Sequence, residues 1–196
     1  MIHQLSLTFG SKTKAQEILF LQHHLKAVVR QGYYPHELPK VERFCTENNL
    51  FRVKSKFKVI LLGDTYSNQG MRISETDSRE GMYFVYLSRD EEKAYLAAYY
   101  ELVSNDRELG LLLGYPQCCV EFYAEKARQK NLNPEHLPTN LYTNLTKRDQ
   151  DAVLLSHFPC SSDCAESIEL AQENLVLLQK LDFTRAKEMR EILNPS

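Results

Sequence analysis

Apolar positions recur at helical spacing over residues 12–31, where Ala15, Ile18, Leu19, Leu25, Val28 and Val29 fall near one face. The pattern predicts an amphipathic helix stopped at Gly32, with His23 and His24 in its middle, about 100° apart and unable to share a face. Tyr33-Tyr34-Pro35 and Leu38-Pro39 break the next stretch, and Pro39 opens a short second helix to about Asn48. Over residues 50–62 the period changes to two. Phe51, Val53, Phe57 and Val59 lie on one face with Ser55 among them, and Arg52, Lys54, Lys56 and Lys58 lie on the other, which predicts a strand. Residues 63–81 are polar and read as a loop around a short strand, Met71-Arg72-Ile73; the aromatic run 82–87 follows as a buried strand. Ser88-Arg89-Asp90-Glu91 has the form of a capping box, and the helix it opens would turn Tyr95, Ala98, Tyr99 and Leu102 inward.

The second half is helical in pattern. A short helix over residues 106–113 ends at Gly114, a natural C-terminal glycine, and another opens at Pro116 and runs to about Lys130. Residues 131–146 carry Pro134, Pro138 and many Asn and Thr and read as a connecting loop, with His136 at the surface. Ala152-Val153-Leu154-Leu155 is a short strand or a helical turn leading into His157. After Cys164 a helix runs to Leu181 with Ile168, Ala171, Leu175 and Leu178 inward, and a last helix covers residues 184–193. The fold class expected is α+β: a small, mostly antiparallel sheet with flanking helices and a helical C-terminal half. One domain over 1–196 is expected, made of a helical segment 1–49, a sheet region 50–88 and a helical half 89–196.

Composition narrows the function classes. Hydrophobic residues at 43% and charged residues at 26% argue against disorder, and a net charge of −2 makes no whole-chain electrostatic case for nucleic acid or an anionic membrane. The apolar runs fall short of a membrane span and the N-terminus lacks a secretory signal pattern, so a cytoplasmic location is expected. In a reducing compartment clustered cysteines more often ligate metal or do redox chemistry than form disulfides. Cys45, alone among apolar neighbours, reads as a core residue.

The other four of the five cysteines lie in two short pieces, Gly114-Tyr115-Pro116-Gln117-Cys118-Cys119 and His157-Phe158-Pro159-Cys160-Ser161-Ser162-Asp163-Cys164. Each has a proline just ahead of its first cysteine. If Pro116 and Pro159 each open a helix, all four thiols sit in first or second turns, where free N–H groups and the helix dipole favour thiolate. Cys160 and Cys164 would then share a helix face, whereas the adjacent Cys118 and Cys119 diverge, so that one or both take part. Three cysteines with His157, or four cysteines, complete a zinc shell, and four thiolates would equally hold an iron–sulfur cluster. A third reading leaves the thiols free for redox or sulfur transfer. Tyr115 and Asp163 are the first candidates for proton transfer, although Asp163, with Glu166 three residues on, would also suit a helix cap.

The same residues carry a resemblance. Gly114-Tyr115-Pro116 with Cys118-Cys119, followed by His157, Pro159, Cys160, Cys164 and Ser167, resembles an uncharacterised prokaryotic family catalogued as domain of unknown function 483, over roughly the C-terminal half. The resemblance implies that His157, the four cysteines and Ser167 belong together and brings no activity with it. A soluble protein with a Cys-ligated metal or iron–sulfur site is therefore expected, with His157 as an alternative ligand or a supporting donor. The alternative from another class is a nucleic-acid-binding or interaction module that uses the Arg52, Lys54, Lys56 and Lys58 stripe around a structural zinc clamp. Lysines guarding a solvent-facing strand against aggregation would give the same stripe.

Overall fold

The computed structural model describes residues 1–61, 70–128 and 136–194. The expected end of the Pro116 helix past Arg128, the first part of the loop with Pro134, the end of the 50–62 strand at Leu62 and the loop residues 63–69 lie outside the described residues.

α1 (Ile2–Phe9), which the periodicity did not announce, closes at Gly10, whose φ of 81° is a left-handed value that glycine adopts freely. α2 (Lys12–Gln22) starts on Ser11, whose side chain accepts from the Lys14 N–H. It ends ten residues before the expected Gly32 stop. The stop is His24, left-handed at φ 64°, which lets the Leu25 N–H reach back to the Phe20 carbonyl. Val28 and Val29 are thereby released from the helix and begin a strand instead, β1 (Val28–Tyr33).

α3 (Leu38–Glu47) follows with Pro39 in its first turn, and buries Val41 and Cys45. The predicted 50–62 strand is two strands, β2 (Phe51–Lys54) and β3 (Phe57–Leu61). Ser55 makes the break: its buried hydroxyl donates to the Phe57 carbonyl and accepts from the Phe84 N–H, replacing a ladder bond. Phe57 and Val59 stay buried as the alternation predicts, and Lys58 on the opposite face is buried too, its Nζ donating to the carbonyls of Asp77 and Arg79. β4 (Gly70–Ser74) pairs with β3 antiparallel, and β5 (Tyr83–Ser88) lies between β1 and β2 in an antiparallel three-stranded sheet of order β1-β5-β2.

Alternation along this sheet sorts its two faces. Val29, Tyr33, Val85 and Leu87 pack with Phe9, Ile18, Leu21, Val41 and Cys45 from α1–α3, and Val28 and Tyr86 pack with the opposite layer. That layer is α4 (Glu91–Leu102), capped by Asp90 rather than Ser88, and α5 (Asp106–Leu112), capped by Asn105. Ser88 is used elsewhere, donating to the Ala27 carbonyl. The inward stripe of α4 is Ala94, Ala97 and Glu101, not the expected Tyr95, Ala98, Tyr99 and Leu102; Tyr95, Tyr99 and Leu102 are exposed. Small alanines let the helix approach the sheet closely, and Glu101 is drawn in by charge. Its carboxylate takes a fork from Arg30, a second pair from Arg72 at 3.2 Å and the Tyr86 hydroxyl at 2.9 Å.

The C-terminal half is built from α6 (Gln117–Arg128), α7 (Ala165–Leu181) and α8 (Phe183–Leu193). A second core joins α7 and α8 to Ala15, Leu19 and Phe20 of α2 through the buried run Ala152–Leu155. That run is neither strand nor helical turn. Side chains satisfy its backbone: Gln16 donates to the Val153 carbonyl at 3.0 Å and Asn174 to the Leu154 carbonyl at 2.9 Å. The architecture is α+β with small antiparallel sheets. Among the described residues no helix is long and apolar enough to cross a membrane.

Candidate metal centre

Two chain turns bring the cysteines together. After α5, Gly114 takes φ 78°, and the N–H groups of Gly114 and Tyr115 return to the carbonyls of Leu111 and Gly110, each at 3.0 Å, reversing the chain. Pro116 follows, its carbonyl accepting from Cys119 and Val120 at the start of α6. Cys118 and Cys119 thus occupy the first turn of α6, as Pro116 suggested. Their Cβ directions diverge by about 100°, yet each sulfur retains its χ1 rotation, and the two Sγ atoms meet at 3.8 Å.

The second piece departs from expectation. Pro159 opens no helix: residues 157–164 form an irregular turn, and α7 begins only at Ala165 with Cys164 as its N-cap residue. Cys160 and Cys164 therefore do not share a helix face. Proline fixes φ, but the turn is held by its neighbours across the fold. His136 bonds the Pro159 carbonyl at 3.1 Å, and Asn140 and Thr143 donate to the Ser162 carbonyl at 2.9 and 2.5 Å. Asp163 is not a cap; it is exposed and accepts from the Thr139 hydroxyl at 2.7 Å, so it braces the same turn.

The turn delivers Cys160 and Cys164 to the start of α6. Cys164 Sγ lies 3.7 Å from Cys118 Sγ and 3.6 Å from Cys119 Sγ, and all four sulfurs lie within 4.8 Å of one another. Cys119 and Cys164 are buried, whereas Cys118 and Cys160 are half-buried. Cys119 Sγ receives the Cys160 N–H at 3.3 Å and stands 3.2 Å from Ser167 Oγ. His157 is buried one bond further out, with Nε2 2.9 Å from Ser167 Oγ and no partner for Nδ1. Tyr115 covers it, ring centroids 5.0 Å apart, with its hydroxyl donating to the Ser156 carbonyl at 3.4 Å. Behind them lies a buried pair that sequence reasoning missed, Lys26 and Glu17 at 2.5 Å, with Lys26 also donating to Ser156 Oγ at 2.6 Å. Lysine and glutamate on a helical pattern read as solvated, and only the turn at His24 brings this lysine inside.

Charge in the cluster is unevenly borne. Burial pushes the thiols of Cys118, up to about 12, and of Cys119, higher still, and the neighbouring Cys164 sulfur adds to both. Burial also opposes ionisation of Cys164, but its polar surroundings, Ser167 first and then the Cys119 and Cys160 thiols, outweigh it and hold this thiol down to about 7. One thiolate is accommodated and further ones are resisted, so full deprotonation calls for a cation among the sulfurs. His157 is kept neutral, its pKa down to about 3, by burial and by the Lys26 and Arg148 cations.

Of the cationic stripe, Arg52, Lys54 and Lys56 are exposed and Lys58 is not. Arg52 faces Glu42 at 3.9 Å, Lys54 pairs with Glu75 and lies 3.8 Å from the Tyr83 ring centroid, and Lys58 is buried.

Comparison with known proteins points the same way as the motif. The family described as "Protein of unknown function (DUF483)" matches residues 95–194. An uncharacterized protein of Methanothermobacter thermautotrophicus is 29% identical over 90 residues, which are 45% of this chain and 48% of that protein. The match thus spans about half the length of this relative. No solved structure matches. With all four clustered cysteines, His157 and Ser167 inside the matched residues, the chain belongs to the DUF483 family.

Proposed function

We propose that Cys118, Cys119, Cys160 and Cys164 bind one zinc ion in a closed tetrahedral site that pins the start of α6 to the turn before α7. The observation that carries this reading is the sulfur spacing. Four thiolates around a single ion at about 2.3 Å stand about 3.8 Å apart; the sulfurs of Cys118, Cys119 and Cys164 stand 3.6 to 3.8 Å apart, and Cys160 Sγ lies within 4.8 Å of each. In a four-iron cluster each thiolate binds its own iron, and in a two-iron cluster the thiolates bind in two pairs, so four mutually close sulfurs suit a single ion better than a cluster. His157 is not needed for the shell, because the four sulfurs already cluster within 4.8 Å of one another, and its Nε2 is engaged by Ser167. Four protein ligands leave no open position, which favours a structural ion over a hydrolytic one.

Cobalt tests this directly. Co²⁺ titrated into the metal-free chain should give the intense visible bands of tetrahedral sulfur coordination, weakened in serine variants at any of the four positions and unchanged in Cys45→Ser. Bands that survive loss of Cys160 but vanish with His157→Ala would replace the four-sulfur shell by a three-sulfur, one-nitrogen one.

A further inference from the structure

Resting on the zinc reading, the two halves of the site differ in a way that a purely structural ion does not require. Cys119 is 2% exposed and its sulfur has two donors besides sulfur, the Cys160 N–H and the Ser167 hydroxyl. Once Cys119 is a thiolate, Ser167 must donate to it. Ser167 then accepts from His157 Nε2–H, which leaves Nδ1 as the unprotonated nitrogen, the one without a partner. Cys119 is thus held by a directed chain, His157 to Ser167 to sulfur. Cys164, also buried, lies beside it, the two sulfurs 3.6 Å apart. Cys118 and Cys160 are half-buried, and Cys118 Sγ lies against the sulfurs of Cys119 and Cys164.

From this asymmetry we infer that Cys118 and Cys160 form a nucleophilic edge of the zinc site that accepts an alkyl group from a soft electrophile, while Cys119 and Cys164 keep hold of the ion. A zinc-bound thiolate is already deprotonated and remains a nucleophile, and charge-assisted hydrogen bonds draw electron density from the sulfurs that receive them. Among the described residues the outer sulfurs receive no such bond, and both residues are only half-buried. In the step itself, a lone pair of the outer sulfur attacks the electrophilic carbon and an S–C bond forms. The bond from carbon to the leaving group breaks, and the leaving group departs with its electron pair. No proton moves and no redox partner is needed; the product is a thioether, a weaker ligand than the thiolate it replaces.

The test is competitive alkylation of the zinc-loaded full chain with iodoacetamide at neutral pH, with each cysteine mapped by peptide mass and zinc content measured alongside. Cys118 and Cys160 should react about tenfold or more faster than Cys119 and Cys164, the scale of a lost hydrogen bond to a charged group. Ser167→Ala should bring Cys119 towards the outer pair, and Ser167→Thr, which keeps the hydroxyl, should not. Equal rates at all four positions in zinc-loaded protein, or faster reaction at Cys119 or Cys164, would overturn the inference and leave the zinc site standing. A chain that binds no zinc would overturn both.

Discussion

His157 shows how much one side chain can depend on its surroundings. In the folded chain it protonates only near pH 3, against 6.5 for an unperturbed imidazole, because burial and the Lys26 and Arg148 cations disfavour the charge. Between those values the unfolded state binds more protons, so folding stability rises with pH. The contribution of neutral His157 is complete above about pH 6.5 and is lost as pH falls towards 3. The urea midpoint of the wild-type chain should therefore fall more steeply between pH 7 and pH 5 than that of His157→Asn, which keeps a donor towards Ser167; parallel profiles would show that the histidine is not buried neutral. Ser167 is the second such residue. Its removal in Ser167→Ala should weaken zinc binding by about tenfold to a hundredfold, as expected when a group orienting a ligand is lost. Competition against a chelator of known affinity measures it, and unchanged affinity would mean that Ser167 only fills space. Neither role was legible in the motif. The sequence shows a serine three positions past a cysteine, and its aim follows from where α7 begins, which places Ser167 at the third helical position facing Cys119.

At the scale of elements, the parts that were legible are those where local chemistry and packing agree. Pro39 starting α3, the aromatic run of β5, Gly114 ending the α5 segment and the apolar stripe of α7 were all readable, because each is specified within a few residues. The misreadings arise where a distant partner decides. A histidine took the left-handed position at the end of α2 and hid β1 inside a helical pattern. Ser55 split the strand in two, and the carbonyls of Asp77 and Arg79 drew Lys58 out of solvent. The face of α4 was set by Glu101 meeting Arg30 and Arg72, from β1 and β4, rather than by its tyrosines. Glu101→Ala should then cost about 3 kcal/mol, since it leaves cations without their buried partner; a loss below about 1 kcal/mol in chemical denaturation would make the network a surface effect. The α5–α6 contact allows a second check. A Cβ on Gly110 would lie 2.8 Å from Val120 Cγ2. Gly110→Ala should push α6 away and destabilise by about 1–3 kcal/mol, with a matching fall in zinc affinity, because α6 carries Cys118 and Cys119.

Across the whole molecule, the cysteine cluster joins two stretches far apart in the chain, the α6 start beside the sheet layer and the turn leading into the α7–α8 core. The cysteine pieces themselves were legible as one site because proline and glycine framed them, but the meeting of the two pieces was not, since it depends on the brace from His136, Asn140 and Thr143. An ion held by both pieces stabilises only the folded chain, by an amount set by its concentration over its dissociation constant. Chelation should lower the melting temperature and first loosen amide protection in α6 and residues 157–164. The most direct test of the central claim is metal and acid-labile sulfide analysis of the chain purified without oxygen. The account predicts one zinc per chain, no sulfide and a colourless protein. Iron with sulfide in stoichiometric amount, or a chain that neither carries nor takes up zinc, would contradict it.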